Sequence, residues 1–143
     1  PNSTTGVLEI NAHGFISNGS GDVLLETFPQ KPDGMVRIFL LGGSSTAGNA
    51  LRSDNTQTIA SYLERSLNQH AAPGITYQVL NYGMSGASTF LELRRFFGEI
   101  IHLEPDVIIT LDGWNDALYS SDFETERSGP SHTQLGSIVL SLF

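Results

Sequence analysis

The chain has 143 residues, 39% of them hydrophobic, enough for one domain with a real core but short for a complete three-layer α/β enzyme. Seven Lys and Arg against fifteen Asp and Glu leave a net charge of −8, a field that repels phosphate backbones and anionic membrane surfaces, so no nucleic-acid partner is expected. The absence of cysteine excludes a disulfide framework and a thiolate metal site, and the four histidines show no ligand spacing.

The chain carries no basic leader and no apolar run approaching the roughly 18 residues of a membrane span, so no membrane-spanning segment is expected and any targeting peptide is taken to be removed or never present. Asn2-Ser3-Thr4 and Asn18-Gly19-Ser20 fit the glycosylation tripeptide and tilt the reading toward export, with the compartment otherwise open.

Residues 1–34 are rich in Gly, Asn, Ser and Pro, with short apolar patches at Val7-Leu8-Glu9-Ile10 and Val23-Leu24-Leu25; they read as an irregular leading segment with one edge strand at most. Lys31-Pro32-Asp33-Gly34 closes it with a turn, and residues 35–143 form the domain. Met35 to Leu41 is continuously apolar apart from Arg37, the pattern of a strand covered on both faces. It empties into Gly42-Gly43-Ser44-Ser45-Thr46.

Asp54-Asn55-Thr56-Gln57 offers a capped helix start, and Ile59, Tyr62, Leu63 and Leu67 then fall on one predicted face. That helix ends near Pro73-Gly74. Ile75 to Leu80 reads as a second strand, followed by the loop Asn81-Tyr82-Gly83-Met84-Ser85-Gly86 and a helix from Ser88 whose Phe90, Leu93, Phe97 and Ile100 or Ile101 form the predicted buried stripe. Pro105 stops it. Asp106 to Leu111 is a third buried strand, emptying into Asp112-Gly113-Trp114-Asn115-Asp116 and a polar loop. Ser131 to Gln134 then caps a last helix bearing Leu135, Ile138, Val139, Leu142 and Phe143, whose apolar face is expected to meet further strands or another chain. Three strand-helix units in series imply a parallel sheet with right-handed crossovers.

In such a sheet the three strand-end loops share one edge, where open α/β folds bind ligands. Ser44 is the candidate nucleophile there, placed where a strand gives way to a helix. A plain glycine-serine turn is the bland alternative. A phosphate loop fails because Asn49 stands where its lysine belongs, although Gly43 and Gly48 bracket four residues; the hydrolase elbow Gly-x-Ser-x-Gly fails because Thr46 occupies its last position. The Ser44 amide, the Gly86 amide and the Asn115 side-chain NH2 are candidate oxyanion donors, each position worth roughly 3–4 kcal/mol in comparable enzymes. Taken singly, Gly86 fits an ordinary turn glycine and Asn115 a loop-closing side chain equally well. Trp114 suits stacking on an apolar or sugar-like group, or simple packing.

Together these blocks resemble the SGNH (GDSL-type) esterase/lipase superfamily. Gly42-Gly43-Ser44-Ser45 is similar to the Gly-Asp-Ser-Leu block, with Gly43 for Asp and Ser45 for Leu; Asn81-Tyr82-Gly83-Met84-Ser85-Gly86 is similar to the second block, and Gly113-Trp114-Asn115-Asp116 to the Gly-x-Asn-Asp block. The match spans about residues 35 to 120, and Asn11-Ala12-His13-Gly14-Phe15 resembles a segment that precedes the first strand in some members. The resemblance implies a flavodoxin-like three-layer α/β/α sandwich with a central parallel sheet, seen here as its N-terminal portion. It implies a serine ester hydrolase without metal or cofactor, acting on acetylated carbohydrates or short acyl esters.

The family's Asp-x-x-His block, which supplies the base and its orienting acid, has no match in this chain. A neutral serine hydroxyl is a poor nucleophile, and without the imidazole only on the order of 10³–10⁴ over water survives. The 143 residues alone are therefore expected to be nearly inactive, with the His and Asp on polypeptide beyond Phe143 or on a second chain. His70 and His102 fall near helix ends and His13 in the leading segment; His132, oriented by Asp112 or Asp116, is the internal alternative. The competing functional readings are a non-catalytic module that binds a glycan or a protein through a degenerate esterase pocket, and an assembly subunit that packs through its last helix.

Overall fold

A computed structural model describes residues 8–10, 14–19, 29–49 and 54–120. The last predicted helix, both sequons in part or whole, His13 and His132 lie outside them. Three strands form one parallel sheet in the order β2-β1-β3: β1 (Met35–Gly42), β2 (Thr76–Asn81) and β3 (Val107–Leu111). Met35 pairs with Thr76 and Leu40 with Asn81 on one side of β1, while Ile38 pairs with Val107 and Gly42 with Leu111 on the other. The predicted strands match these within a residue or so.

Alternation along β1 sorts its side chains between two cores. Phe39 and Leu41 join Phe15, Leu80, Tyr82 and Ile100 on one face, against Phe96 of α3 (Thr89–Gly98). Ile38 and Leu40 join Val79 and Ala60 on the other, against Leu63 and Leu67 of α2 (Ile59–Gln69). Helices thus cover both faces, the three-layer arrangement that a strand apolar on both sides requires. Phe15 of the leading segment is 3% exposed, stacked among Phe39 and Tyr82, and Asn18 Nδ2 donates to Val79 O at 2.8 Å.

One buried cation ties the sheet's other end. Arg37, fully buried on β1, donates to Gln78 Oε1 (2.7 Å) and to the carbonyls of Pro29, Gln30 and Leu103. Burial lowers its pKa, with Glu104 and Asp106 acting in the opposite sense, so its charge is held by oriented carbonyls as well as nearby carboxylates.

Both predicted helix faces need correction. On α2, Ile59 and Tyr62 are largely exposed while Ala60, Ser61 and Glu64 are buried. The reason is polar satisfaction: Glu64 Oε2 accepts the Val79 N–H at 2.8 Å, and Asn68 bridges to both N–H and C=O of Tyr77. Edge-strand groups of β2 therefore select a polar stripe. On α3, Phe90 (76% exposed), Leu93 and Phe97 face outward while Glu92 and Phe96 face the sheet; of the predicted pair in the 3-10 turn that follows, Ile100 is buried and Ile101 exposed.

Helix starts are also redistributed. Asp54 caps a short 3-10 turn at Asn55–Gln57, and Thr58, accepting the Ser61 N–H at 3.1 Å, caps α2 itself. β3, predicted as buried, is half-exposed throughout, because among the described residues it has a neighbour only on its β1 side. Residues 114–120 are helical (α4), directly after the turn at 112 and 113, where the sequence pattern predicts a polar loop. Among the described residues no helix is long and apolar enough to cross a membrane.

Candidate active site

The first strand is central and its two neighbours flank it, so the chain reverses direction across the sheet at the carboxyl end of β1. Such a switch point opens a crevice between diverging connections. A pocket of about 260 Å³ lies there, lined by Gly43, Ser44, Ser45, Ala87, Leu111, Asp112, Gly113, Trp114 and Asn115. Residues from the β1 exit, the β2 loop and the β3 exit thus meet around one volume.

Ser44 opens a four-residue helix, α1 (Ser44–Ala47), with Gly43 at its N-cap and Gly48 closing it in the left-handed conformation. The bend is sharp. Gly42 has φ +151, and a Cβ there would sit 2.1 Å from Thr46 Oγ1 and 2.8 Å from Leu111 O, so only glycine lets the strand turn directly into the helix. Ser44 is exposed, and no hydrogen bond to its hydroxyl is formed among the described residues. Asn49, one residue past α1's cap, donates to Ser85 Oγ at 3.0 Å, a structural tie between the first two loops.

Asn115, in the first turn of α4, donates from Nδ2 to Ala87 O at 2.7 Å. A Cβ on Gly43 would lie 2.7 Å from the same Nδ2. The carboxamide is therefore wedged between the residue before Ser44 and the residue after Gly86, with one of its two N–H donors used and the other free to serve elsewhere. Gly86 has φ +73 and its carbonyl accepts the Tyr119 hydroxyl at 3.0 Å. Gly86 does not itself line the pocket, but Ala87 does.

Asp116 has a different task. Both carboxylate oxygens accept the Thr89 N–H, each at 3.0 Å, and Oδ2 also accepts the Thr89 hydroxyl. Ser88, the N-cap of α3, makes no side-chain cap bond, so Asp116, 27 positions beyond Thr89, satisfies the helix end and places negative charge at its positive pole. His132, the histidine that Asp112 or Asp116 is expected to orient, lies outside the described residues. His70 donates from Nδ1 to Ser66 O at the exposed end of α2, and His102 is exposed in the 3-10 turn Ile100–Leu103; neither lines the pocket.

Sequence reasoning missed Asp112 as a pocket-wall residue and Glu92 beneath it. Glu92 is 6% exposed, and burial, then contact with Asp112, raises its pKa to about 9. The available signal was a Glu interrupting the apolar pattern of α3, which registers as helix surface unless the helix phase is known.

No protein-family profile matches the chain, and no curated protein matches it. Among solved structures, AlinE4, described as an SGNH-hydrolase family esterase, superposes with a TM-score of 0.51 at 24% identity over 69% of this chain and 57% of its own. TesA superposes at 0.50 with 26% identity over 59% and 44%, and a variant of the AlinE4 esterase at 0.50 with 25% identity over 68% and 56%. The chain thus spans little more than half the length of AlinE4 and less than half of TesA. With a parallel sheet clothed by helices on both faces and its motif-bearing loops at one edge, the chain has the fold of the SGNH-hydrolase family.

Proposed function

We propose that the chain is the nucleophile-bearing and oxyanion-binding part of a serine ester hydrolase acting on acetylated carbohydrates or short-chain acyl esters. The observation that carries this reading is the Asn115 carboxamide, anchored to Ala87 O and resting over Gly43 beside Ser44. Its position is preorganised: the amide nitrogen is held by a fixed backbone acceptor, so it need not reorient as charge develops. The likeness to esterases of the SGNH fold supports the same class of reaction.

In this mechanism Ser44 Oγ attacks the ester carbonyl while an imidazole takes its proton. The carbonyl oxygen becomes an oxyanion held by the Ser44 N–H, the Gly86 N–H and the second Asn115 N–H. Collapse expels the alcohol, which receives the proton from the imidazolium, and water then releases the acid from Ser44 by the same steps in reverse. The wall formed by Leu111, Ala87 and exposed Trp114 accepts a small acyl group or the face of a sugar ring. The Asp and His are assigned to polypeptide outside these 143 residues, in keeping with the share of AlinE4 that the chain spans.

The test is hydrolysis of short-chain nitrophenyl esters and acetylated sugars by the full-length protein and its Ser44→Ala variant. Turnover in the first and its loss in the second is the expected result. No turnover of any ester, with glycan binding that is indifferent to Ser44→Ala, would replace this reading by that of a binding module.

A further inference from the structure

Asp112 of the pocket wall and Glu92 of α3 bring buried carboxyl groups into contact. Glu92 Oε1, Glu92 Oε2 and Asp112 Oδ1 are all buried and accept no hydrogen bond from any donor among the described residues. Glu92 projects from the sheet-facing side of α3 into contact with Asp112, which also lines the pocket. Two ionised carboxylates can only accept, so their contact repels unless one of them carries a proton.

The charges around the pair do not relieve it. Asp112 and Asp116, from the β3 exit and α4, both disfavour ionisation of Glu92; Arg95, one turn along α3, opposes them weakly. That guanidinium is occupied elsewhere, 3.7 Å over the Tyr82 ring and bonded to Tyr82 O at 3.3 Å. Burial is the largest influence, and with the neighbouring carboxylates it keeps the Glu92 proton bound until about pH 9.

We propose that Glu92 donates a carboxylic-acid O–H to Asp112, the two residues sharing one proton, and that this bond positions the β3-exit segment from which Asn115 reaches the pocket. Glu92 touches no substrate and is a positioning residue. It lies three residues after Thr89, on the same side of α3, so the helix grips the segment twice: Thr89 to Asp116 at the surface and Glu92 to Asp112 beneath. Loss of the proton converts the inner bond into repulsion between two buried negative charges. The consequence for catalysis rests on the ester-hydrolase reading above, but the proton and its effect on the segment do not.

The experiment uses the full-length protein and two optical readings. Infrared spectroscopy at neutral pH is expected to show the carbonyl stretch of a neutral carboxylic acid, disappearing with a midpoint near pH 9 and missing from Glu92→Gln. Trp114, the single tryptophan of these 143 residues and part of the same segment, is expected to change its emission over that interval in the wild type. Glu92→Gln keeps an N–H donor for Asp112 and has nothing to titrate, so its Trp114 emission stays flat there.

A folded wild-type protein with no neutral-acid band at neutral pH overturns the shared proton, a result independent of how any variant folds. An emission transition equal in wild type and Glu92→Gln overturns the positioning role. Either failure leaves hydrolysis by Ser44 standing, and a protein without hydrolysis that passes both tests leaves the proton pair standing.

Discussion

The carboxamide nitrogen of Asn115 lies 2.7 Å from Ala87 O and 2.7 Å from where a Cβ of Gly43 would stand. One side chain thus reads the position of two loops at once, and the residue before the nucleophile is small enough to admit it. Gly43→Ala forces the pinned, part-buried carboxamide away from Ser44, and because the clash falls on a side-chain tip rather than on backbone it costs the fold little. On the ester-hydrolase reading, kcat of the full-length protein is expected to fall by about 10- to 100-fold, in line with the loss from a misplaced oxyanion donor, with Tm almost unchanged. Steady-state kinetics beside a thermal melt checks this; an unchanged kcat would mean that Asn115 does not act on the transition state.

Asp116 caps α3 from a distance. Asp116→Ala strips the Thr89 N–H of its only described side-chain acceptor, and cap losses of this kind cost about 1 kcal/mol. Urea unfolding is expected to show that loss. Asp116→Asn, which keeps an acceptor but not the charge, should lose about half as much, separating the hydrogen bond from the helix-end electrostatics.

Arg37 is the inner counterpart at the opposite end of the sheet. Its guanidinium serves Gln78 and three backbone carbonyls at 2.6 to 3.0 Å. Arg37→Met preserves the stem but abandons buried acceptors, an expected loss of about 3 kcal/mol. Arg37→Lys should recover little of it, because a point-like ammonium cannot span the same acceptors. Chemical denaturation of the three proteins decides this.

Glu92 also sets how stability responds to pH. Its folded pKa, about 9, lies above the ordinary value of 4.5, so between these values the folded chain holds a proton that the unfolded chain releases. Its stabilising share is complete below pH 4.5 and is lost as pH rises through about 9, with a slope of at most about 1.4 kcal/mol per pH unit. Unfolding free energies measured across that interval should fall for the wild type and flatten for Glu92→Gln.

The strands were legible because short, mostly apolar runs bounded by turn residues mark them, Met35 to Leu41 broken only by Arg37 and Ile75 to Leu80 by Thr76 and Gln78. Helix phase was not. Phe90, Leu93 and Phe97 make the better apolar stripe on α3, yet Glu92 and Phe96 face the sheet, a choice set by packing and a carboxyl pair that no periodicity encodes. Likewise Glu64 and Asn68 displace Ile59 and Tyr62 because β2 needs acceptors and donors. At the site, residue types at strand ends pointed to Ser44, Gly86 and Asn115, since parallel topology gathers those ends together. The bond from Asn115 to Ala87 and the cap from Asp116 to Thr89 depend on how α4 begins immediately at 114, where composition reads as loop.

Ser44 is the residue on which the whole account turns. Treating the full-length protein with a fluorophosphonate probe and mapping the adduct by mass spectrometry should place a single covalent label on Ser44. Esterase turnover should disappear in step with it, and Ser44→Ala should take no label. A label on another residue, or turnover that continues after Ser44 is fully modified, would contradict the account.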